Sequence, residues 1–432
     1  MNSTHLKTRP RKTRCRARKW ILVGAARPNF MKIAPLIRAI EDYNARHAAA
    51  DKLIVPLLVH TGQHYDDNMS DAFFRDLQIP APDIHMGIGS GSHAEQTGQV
   101  MMAFEKILVS EKPDLVVVVG DVNSTMACAV AAVKLHIPVA HVEAGLRSFD
   151  RTMPEEINRL ITDAVADYLF TPSPDGDKNL LREGCSPDKI FPVGNIMADT
   201  LLFNLEQAKK RDTLHRLGLS QSTENGCPPY ALLTLHRPAN VDNRETFSRI
   251  LDGLCQIASR IPIIFPLHPR TRKQIIAFGF ADQFIFCDQS APAPPSFDDP
   301  PGGRIYCPEP LGYLDFLSLM TDAKFVLTDS GGIQEETTVL DVPCITIRDT
   351  TERPITVMEG TNILVGDNPD KMYLEAQKVL DGQARHGRCP ELWDGKTAER
   401  IVKILAKHVL SNADAILSQS GCDAHHHIDD GD

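Results

Sequence analysis

No apolar run in this chain reaches the ~18 residues needed to span a bilayer, so nothing in it reads as a membrane segment. Its ten cysteines are scattered, no CxxC pair occurs, and Cys128 and Cys344 sit inside apolar runs. That usage fits reduced thiols in a cytoplasm rather than a disulfide framework. There is no surplus of positive charge: 46 Lys and Arg face 56 Asp and Glu, for a net −10, which argues against a nucleic-acid-binding body. A GxxxxGK[ST] phosphate loop is missing. The glycine-rich run Gly87-Ile88-Gly89-Ser90-Gly91 lacks the third spacing of GxGxxG and does not close the first strand. It reads as a loop before a helix starting near His93, and no dinucleotide is expected.

The two ends differ from the rest. Residues 1–19 have no acidic side chain but carry Lys7, Arg9, Arg11, Lys12, Arg14, Arg16, Arg18 and Lys19. The apolar stretch that follows is stopped at Arg27, too soon for a secretory signal, so 1–19 is expected to be a basic flexible leader. The tail, 413–432, ends in a polar acidic stretch around His425–His427; such a histidine run reads as flexible, and no metal site is expected.

Between the ends, 432 residues with 42% hydrophobic content suffice for two or three domains. Short apolar runs alternate with helix-period segments. Strands are expected at 20–25, 53–60, 115–119 and 139–142, with helices at 30–45, 94–110, 124–135 and 154–168. The second half repeats the scheme, with strands at 230–235, 263–267, 324–328 and 343–347, and helices at 245–260 and 332–340. Such alternation implies βαβ units and parallel sheets covered on both faces. The expected fold class is α/β, with two Rossmann-like domains, 20–195 and 196–394, facing a cleft. A Pro-rich insertion, 289–303, interrupts the second. A final helix within 395–412 is expected to pack back on the first.

Candidate chemistry lies where strands end. Gly24 to Lys32 (GAARPNFMK) closes the first strand; the following helix offers its N-terminus to an anion, with Arg27 and Lys32 as cations. Asp121 follows an apolar strand, Glu143 ends the next, and Glu155 and Glu156 open the helix after it. Neighbouring parallel strands bring these acids to one rim. Singly, Asp121 reads equally as a helix cap and the glutamates as ordinary first-turn acids; together they point to acid–base chemistry. In the second half, His236-Arg237-Pro238 and His268-Pro269-Arg270 end strands. Asp329-Ser330-Gly331-Gly332-Ile333-Gln334-Glu335-Glu336 follows a strand and opens a helix, which suits a phosphate.

Together the stretches GAARPNFMKIAPL, HTGQHYDDNM, GDVNST, HIPVAHVEAGLRSFDRTMPEEINR, LLTLHRP, DSGGIQEE and RDTTERPITVMEGTNILVG resemble the non-hydrolysing UDP-N-acetylglucosamine 2-epimerases, from about residue 20 to 410. The resemblance implies a GT-B-like fold and reversible inversion of C2 in UDP-N-acetylglucosamine to give UDP-N-acetylmannosamine, through loss of UDP and a 2-acetamidoglucal. The product would serve cell-surface polysaccharide synthesis. It implies catalytic roles for Asp121, Glu143, Glu155 and His236. Substrate contacts would come from Arg27, Lys32, Arg147, Ser330, Gly331, Gly332, Glu336 and Arg353. It also implies a homodimer whose only partner besides itself is a UDP-sugar. No hydride moves, so no cofactor and no metal are expected. Some family members bind a second UDP-N-acetylglucosamine through a QHRQ-type segment. Here the segment reads Gln63-His64-Tyr65-Asp66, so activity without an obligatory effector is expected. The alternatives are a GT-B glycosyltransferase and an epimerase acting on a modified UDP-sugar.

Overall fold

The computed structural model describes residues 17–48, 53–62, 77–89, 91–218, 229–287 and 305–420; the side chains of Arg27 and of 410–420 are outside the description. The leader up to residue 16, the 63–66 segment, the insertion at 289–303 and the tail from 421 therefore lie outside the described residues.

Two parallel seven-stranded sheets organise the chain. The first holds β1 (Arg18–Gly24), β2 (Ile54–His60), β3 (Ile84–His85), β4 (Leu115–Val119), β5 (Val139–Val142), β6 (Tyr168–Thr171) and β7 (Ile190–Pro192), in the order β3-β2-β1-β4-β5-β6-β7. Strand β4 reads Leu-Val-Val-Val-Val and is buried throughout, as a central parallel strand covered on both faces must be. Its register sets Val118 beside Val23 of β1, and Val119 beside Val142 of β5. The residues that follow, Gly24, Gly120-Asp121 and Glu143, thus emerge at one rim. The strand order reverses between β1 and β4, which opens a crevice at that rim.

The helices of this half are α1 (Arg27–His47), α2 (His93–Glu111), α3 (Asn123–Lys134), α4 (Pro154–Val165), α5 (Pro174–Arg182) and α6 (Ile196–Ala208), followed by the short α7 (Thr213–Arg216). Helix α2 begins with a capping box: the Glu95 amide donates to Ser92 Oγ, and the Ser92 amide to the Glu95 carboxylate. Helix α4 stops earlier than the pattern at 154–168 predicts. Asp167 exchanges hydrogen bonds with the Val139 backbone, its amide donating at 2.9 Å and its carboxylate accepting at 3.0 Å. That pairing pulls the chain into the sheet, and Tyr168 begins β6.

The second sheet holds β8 (Ala231–Thr234), β9 (Ile263–Ile264), β10 (Phe284–Cys287), β11 (Ile305–Pro308), β12 (Phe325–Thr328), β13 (Cys344–Thr346) and β14 (Asn362–Leu364), in the order β10-β11-β9-β8-β12-β13-β14. It too reverses direction, between β8 and β12, where Thr234 and Thr328 lie side by side. Its helices are α8 (Pro238–Val241), α9 (Arg244–Ala258), α10 (Pro269–Ala277), α11 (Tyr313–Asp322), α12 (Gly331–Leu340), α13 (Pro354–Met358) and α14 (Pro369–Leu380), and the last helix is α15 (Thr397–Ser420).

The halves share a core. One buried cluster runs from Trp20 and Phe30 through Ile196 and Leu201 of α6 to Leu317 and Met320 of α11. Ile401 and Leu405 of α15 belong to it as well, because α15 packs against α1 and α6. Asp199 in α6 caps α15, accepting from the amides of Thr397 at 3.1 Å and Ala398 at 2.7 Å. The chain passes between the sheets twice, and the two passages touch. Gly194 adopts φ +91°, and a Cβ there would fall 2.1 Å from the Leu392 carbonyl oxygen. Beside it the Trp393 indole donates to the Pro172 carbonyl at 2.9 Å. No helix among the described residues is long and apolar enough to cross a membrane.

Candidate active site

A cleft of about 1020 Å³ lies between the two rims. The first half contributes Lys32, His93, Asp121, Glu155 and Arg159; the second contributes His236, Tyr313, Ser330, Gly331, Gly332, Glu335, Glu336, Glu352 and Arg353. The sequence therefore brought Lys32, Asp121, Glu155, His236, the Ser330 turn, Glu336 and Arg353 to one place. Arg27 opens α1 at the same end as Pro28, which lines the cleft, but its side chain is outside the description.

Asp121 is not a helix cap. Val122 occupies the N-cap of α3, and Asp121 instead pairs with Arg159 Nη1 at 2.5 Å. Arg159 is buried and also holds Glu156 at 2.6 Å. Glu156 accepts in addition from the amides of Ser148 and Phe149 at 3.0 and 2.9 Å. The adjacent glutamates thus part company: Glu156 ties down the 148–149 turn, while Glu155 faces the cleft. Burial works to raise the Glu156 pKa, but the Ser148 amide and the Arg159 guanidinium outweigh it and hold the group below its ordinary value.

Glu143 sits behind the cleft wall, 4% exposed, in an ion pair with Lys32. Its backbone is left-handed, φ 72°, a conformation disfavoured for a non-glycine residue. One carboxylate oxygen, Oε1, is buried without a hydrogen-bond partner among the described residues. Gly120 makes room for this pair: it has φ +67°, and a Cβ there would lie 2.9 Å from Lys32 Nζ.

Arg147 does not reach the cleft, contrary to the expected substrate contact. It is 2% exposed and is bound by Asp163 at 2.7 Å and by Glu183 through two bonds of 2.6 and 2.8 Å. Two left-handed residues, Glu143 and Gly145 (φ 80°), reverse the chain just before it and turn its side chain inward. His141 shares Asp163, at 2.6 Å, and its Nε2 reaches the Gly120 carbonyl at 2.8 Å. This buried network holds together the two loops that carry Asp121 and Glu143.

In the second half, the buried Asp329 orients His236. It accepts from His236 Nδ1 at 2.9 Å, from the amides of His236 and Arg237 at 3.0 and 2.8 Å, and from Asn240 at 3.2 Å. Burial would raise its pKa, yet these donors, the His236 side chain foremost, keep it lowered. With Nδ1 engaged, Nε2 is the ring atom left for the cleft. His268, by contrast, caps α10 by accepting from the Arg270 amide at 3.2 Å and does not line the cleft.

Ser330 precedes α12 but makes no side-chain cap, so the first amides of that helix stay available to an anion. The two glycines have different causes. A Cβ on Gly331 would sit 2.5 Å from Arg353 Nη1, whereas one on Gly332 would meet only Met197, at 3.9 Å. Protein packing explains the first; the second leaves space on the cleft side.

Arg353 lies between Glu335, at 2.9 Å, and Glu352, at 3.1 Å. Burial alone would lower its pKa, but these two carboxylates outweigh burial and raise it. Arg348 and Arg237 also contact Glu352, at 2.8 and 3.3 Å. Burial works to raise the Glu352 pKa, but its arginines, Arg353 first among them, hold it far below the ordinary carboxylate range. Glu335 and Glu336 go the other way. Burial raises Glu335 despite Arg353, and burial pushes Glu336 up to about 8 despite a 3.1 Å hydrogen bond from the Tyr313 hydroxyl. Arg159 and Tyr313 were not singled out in the sequence, and Asp329 and Glu335 were named only as parts of the 329–336 motif, with no role of their own. Asp329 carries the one local sign, an acid directly after an apolar strand, as at Asp121.

The model of the family UDP-N-acetylglucosamine 2-epimerase matches residues 46–406. A UDP-N-acetylglucosamine 2-epimerase of Methanocaldococcus jannaschii is 45% identical over 389 residues, which cover 90% of this chain and 98% of that one. The UDP-2,3-diacetamido-2,3-dideoxy-D-glucuronate 2-epimerase of Pseudomonas aeruginosa is 38% identical over 398 residues, 90% of this chain and 99% of its own. The crystal structure of the M. jannaschii enzyme in complex with UDP-GlcNAc and UDP gives a TM-score of 0.76 at 44% identity, covering 90% of this chain and 99% of the other. These matches span both sheets and the cleft between them: the chain belongs to the UDP-N-acetylglucosamine 2-epimerase family of isomerases.

Proposed function

We propose that this enzyme interconverts UDP-N-acetylglucosamine and UDP-N-acetylmannosamine by eliminating and re-adding UDP. The observation that carries the reading is the division of the cleft: carboxylates of the first half face an anion cradle of the second. UDP sits with its diphosphate at the Ser330–Gly332 turn, and His236 Nε2 donates to a phosphate oxygen. Arg353 adds positive potential, and Glu336, whose carboxyl burial pushes towards its neutral form, meets the ribose hydroxyls. That the M. jannaschii relative was solved in complex with UDP-GlcNAc and UDP supports a UDP-sugar as the ligand.

The C2 proton of the bound sugar is weakly acidic, because no carbonyl adjoins C2. Cleavage of the C1–O bond builds positive charge on the ring and makes the proton removable. A carboxylate takes it, the C–H electrons form the C1–C2 double bond, and UDP departs with the C1–O pair. An acid on the opposite face then delivers a proton to C2, and a UDP oxygen re-forms the bond to C1. Inversion needs groups on both faces: Asp121 and Glu155 line the cleft, and Glu143 stands just behind its wall as the third carboxylate. Lys32 and Arg159 keep Glu143 and Asp121 in place.

The test is NMR of UDP-N-acetylglucosamine with the enzyme in D2O. Epimerisation places deuterium at C2 and gives UDP-N-acetylmannosamine signals. Release of UDP with C2 unlabelled would instead mean sugar transfer or hydrolysis. A parallel assay with the diacetamido-glucuronate substrate named for the P. aeruginosa relative measures preference between the two sugars.

A further inference from the structure

His93 is the one described residue of the cleft wall whose ring orientation is fixed by a chain of hydrogen bonds leading back to Asp121. The chain begins at a group that can only accept, the Asp121 backbone carbonyl. Asn158 Nδ2 lies 2.9 Å from that oxygen, so this atom of Asn158 is the amide nitrogen. The same nitrogen is 3.2 Å from a side-chain atom of Asn123, which must therefore be its oxygen. The Asn123 nitrogen then faces Gln96 Oε1 at 2.8 Å and His93 Nδ1 at 3.0 Å. An amide nitrogen only donates, so His93 Nδ1 accepts. The ring proton is on Nε2.

Asn123, Asn158 and Gln96 are all buried, so this relay is a fixed part of the wall. His93 itself is exposed and lines the cleft on the Asp121 side, across from the phosphate cradle. No partner for Nε2 occurs among the described residues.

The geometry points to His93 as a specificity-determining residue that donates one hydrogen bond, from Nε2, to an oxygen of the sugar. The inference rests on the UDP-sugar reading above, and it adds a contact confined to the sugar end. Through Asn123 and Asn158 the contact is mechanically joined to the Asp121 loop, so a sugar that satisfies His93 is registered against the acid.

The test compares His93→Leu, which removes the donor, with His93→Gln, whose amide can accept from Asn123 and still present an N–H. Calorimetry gives Kd for UDP-N-acetylglucosamine and for UDP alone, and the D2O exchange assay gives kcat and KM. For His93→Leu we expect Kd and KM for the sugar nucleotide to rise about tenfold, the scale of one net hydrogen bond, with Kd for UDP within twofold of wild type. His93→Gln should recover to within about threefold. Wild-type sugar-nucleotide affinity in His93→Leu overturns the proposal. So does an equal loss for UDP, which would make the residue structural, and so does a His93→Gln variant as weak as His93→Leu. If the wild-type enzyme exchanges no deuterium at C2, the functional reading fails, while the difference between the two Kd values still decides the role of His93.

Discussion

The two rims of the cleft handle charge in opposite ways. On the first, each candidate acid except Glu155 has a basic partner at contact distance: Arg159 for Asp121, Lys32 for Glu143. On the second, Glu335 and Glu336 are buried with raised pKa values, and the arginines concentrate on Glu352. A cationic partner holds a carboxylate in place and favours its charged form, whereas burial favours the neutral form, as it does at Glu335 and Glu336. On the proposed reading, proton traffic and nucleotide grip fall to separate sheets, so each should be open to disturbance without the other.

The sharpest break should come from the first rim. Asp121→Asn preserves shape but removes a base, and C2 exchange in D2O should fall by about 10²–10⁴, with UDP affinity by calorimetry unchanged. Arg147→Ala should act on stability instead. It removes the guanidinium from the buried Asp163, which keeps only His141 and the Gly145 amide, so chemical denaturation should show a loss of about 3–5 kcal/mol, with KM unaltered in the molecules that remain folded. A KM rise in that variant would restore Arg147 to the substrate. Asp329→Asn should cost about tenfold or more in kcat by releasing the His236 ring, while leaving C2 chemistry qualitatively intact. The smallest effect concerns pH. A carboxyl whose folded pKa is raised stabilises the fold below its unfolded pKa, and that stability is lost as pH rises through the folded value, about 8 for Glu336. Glu336→Gln should therefore flatten the decline in melting temperature between about pH 5 and 9, measured without ligand.

The comparison also shows what the sequence made legible. Asp121 and Glu143 could be read because each comes at the end of a short apolar strand and parallel register carries strand ends to one edge, and Glu155 because it opens the helix that follows. Ser330–Gly332 was legible for the same reason. Arg147 was not, since two left-handed residues upstream invert the direction of every side chain that follows, and no periodicity survives such a turn. Glu335 and Glu336 are neighbours in sequence, yet one faces Arg353 and the other Tyr313; partners so distant in the chain leave no local trace. Asn123, Asn158 and Gln96 were passed over because an amide acquires meaning only when its donor and acceptor sides are known.

Gly194 and Leu392, where the two chain passages meet, have a mechanical consequence. Two chain passages meeting at one place form a pin to pivot on, but the sheets are also tied by the core shared between α6 and α11. Any swing about that point would have to slide this packing, while α15, clasped to α1, would stay with the first sheet. The amplitude at the cleft grows with distance from the pin, so the sugar and phosphate sites, lying outward from it, would feel a small rotation most. A side chain at position 194 would jam the pin itself, and a change far from every ligand would then be felt by all of them.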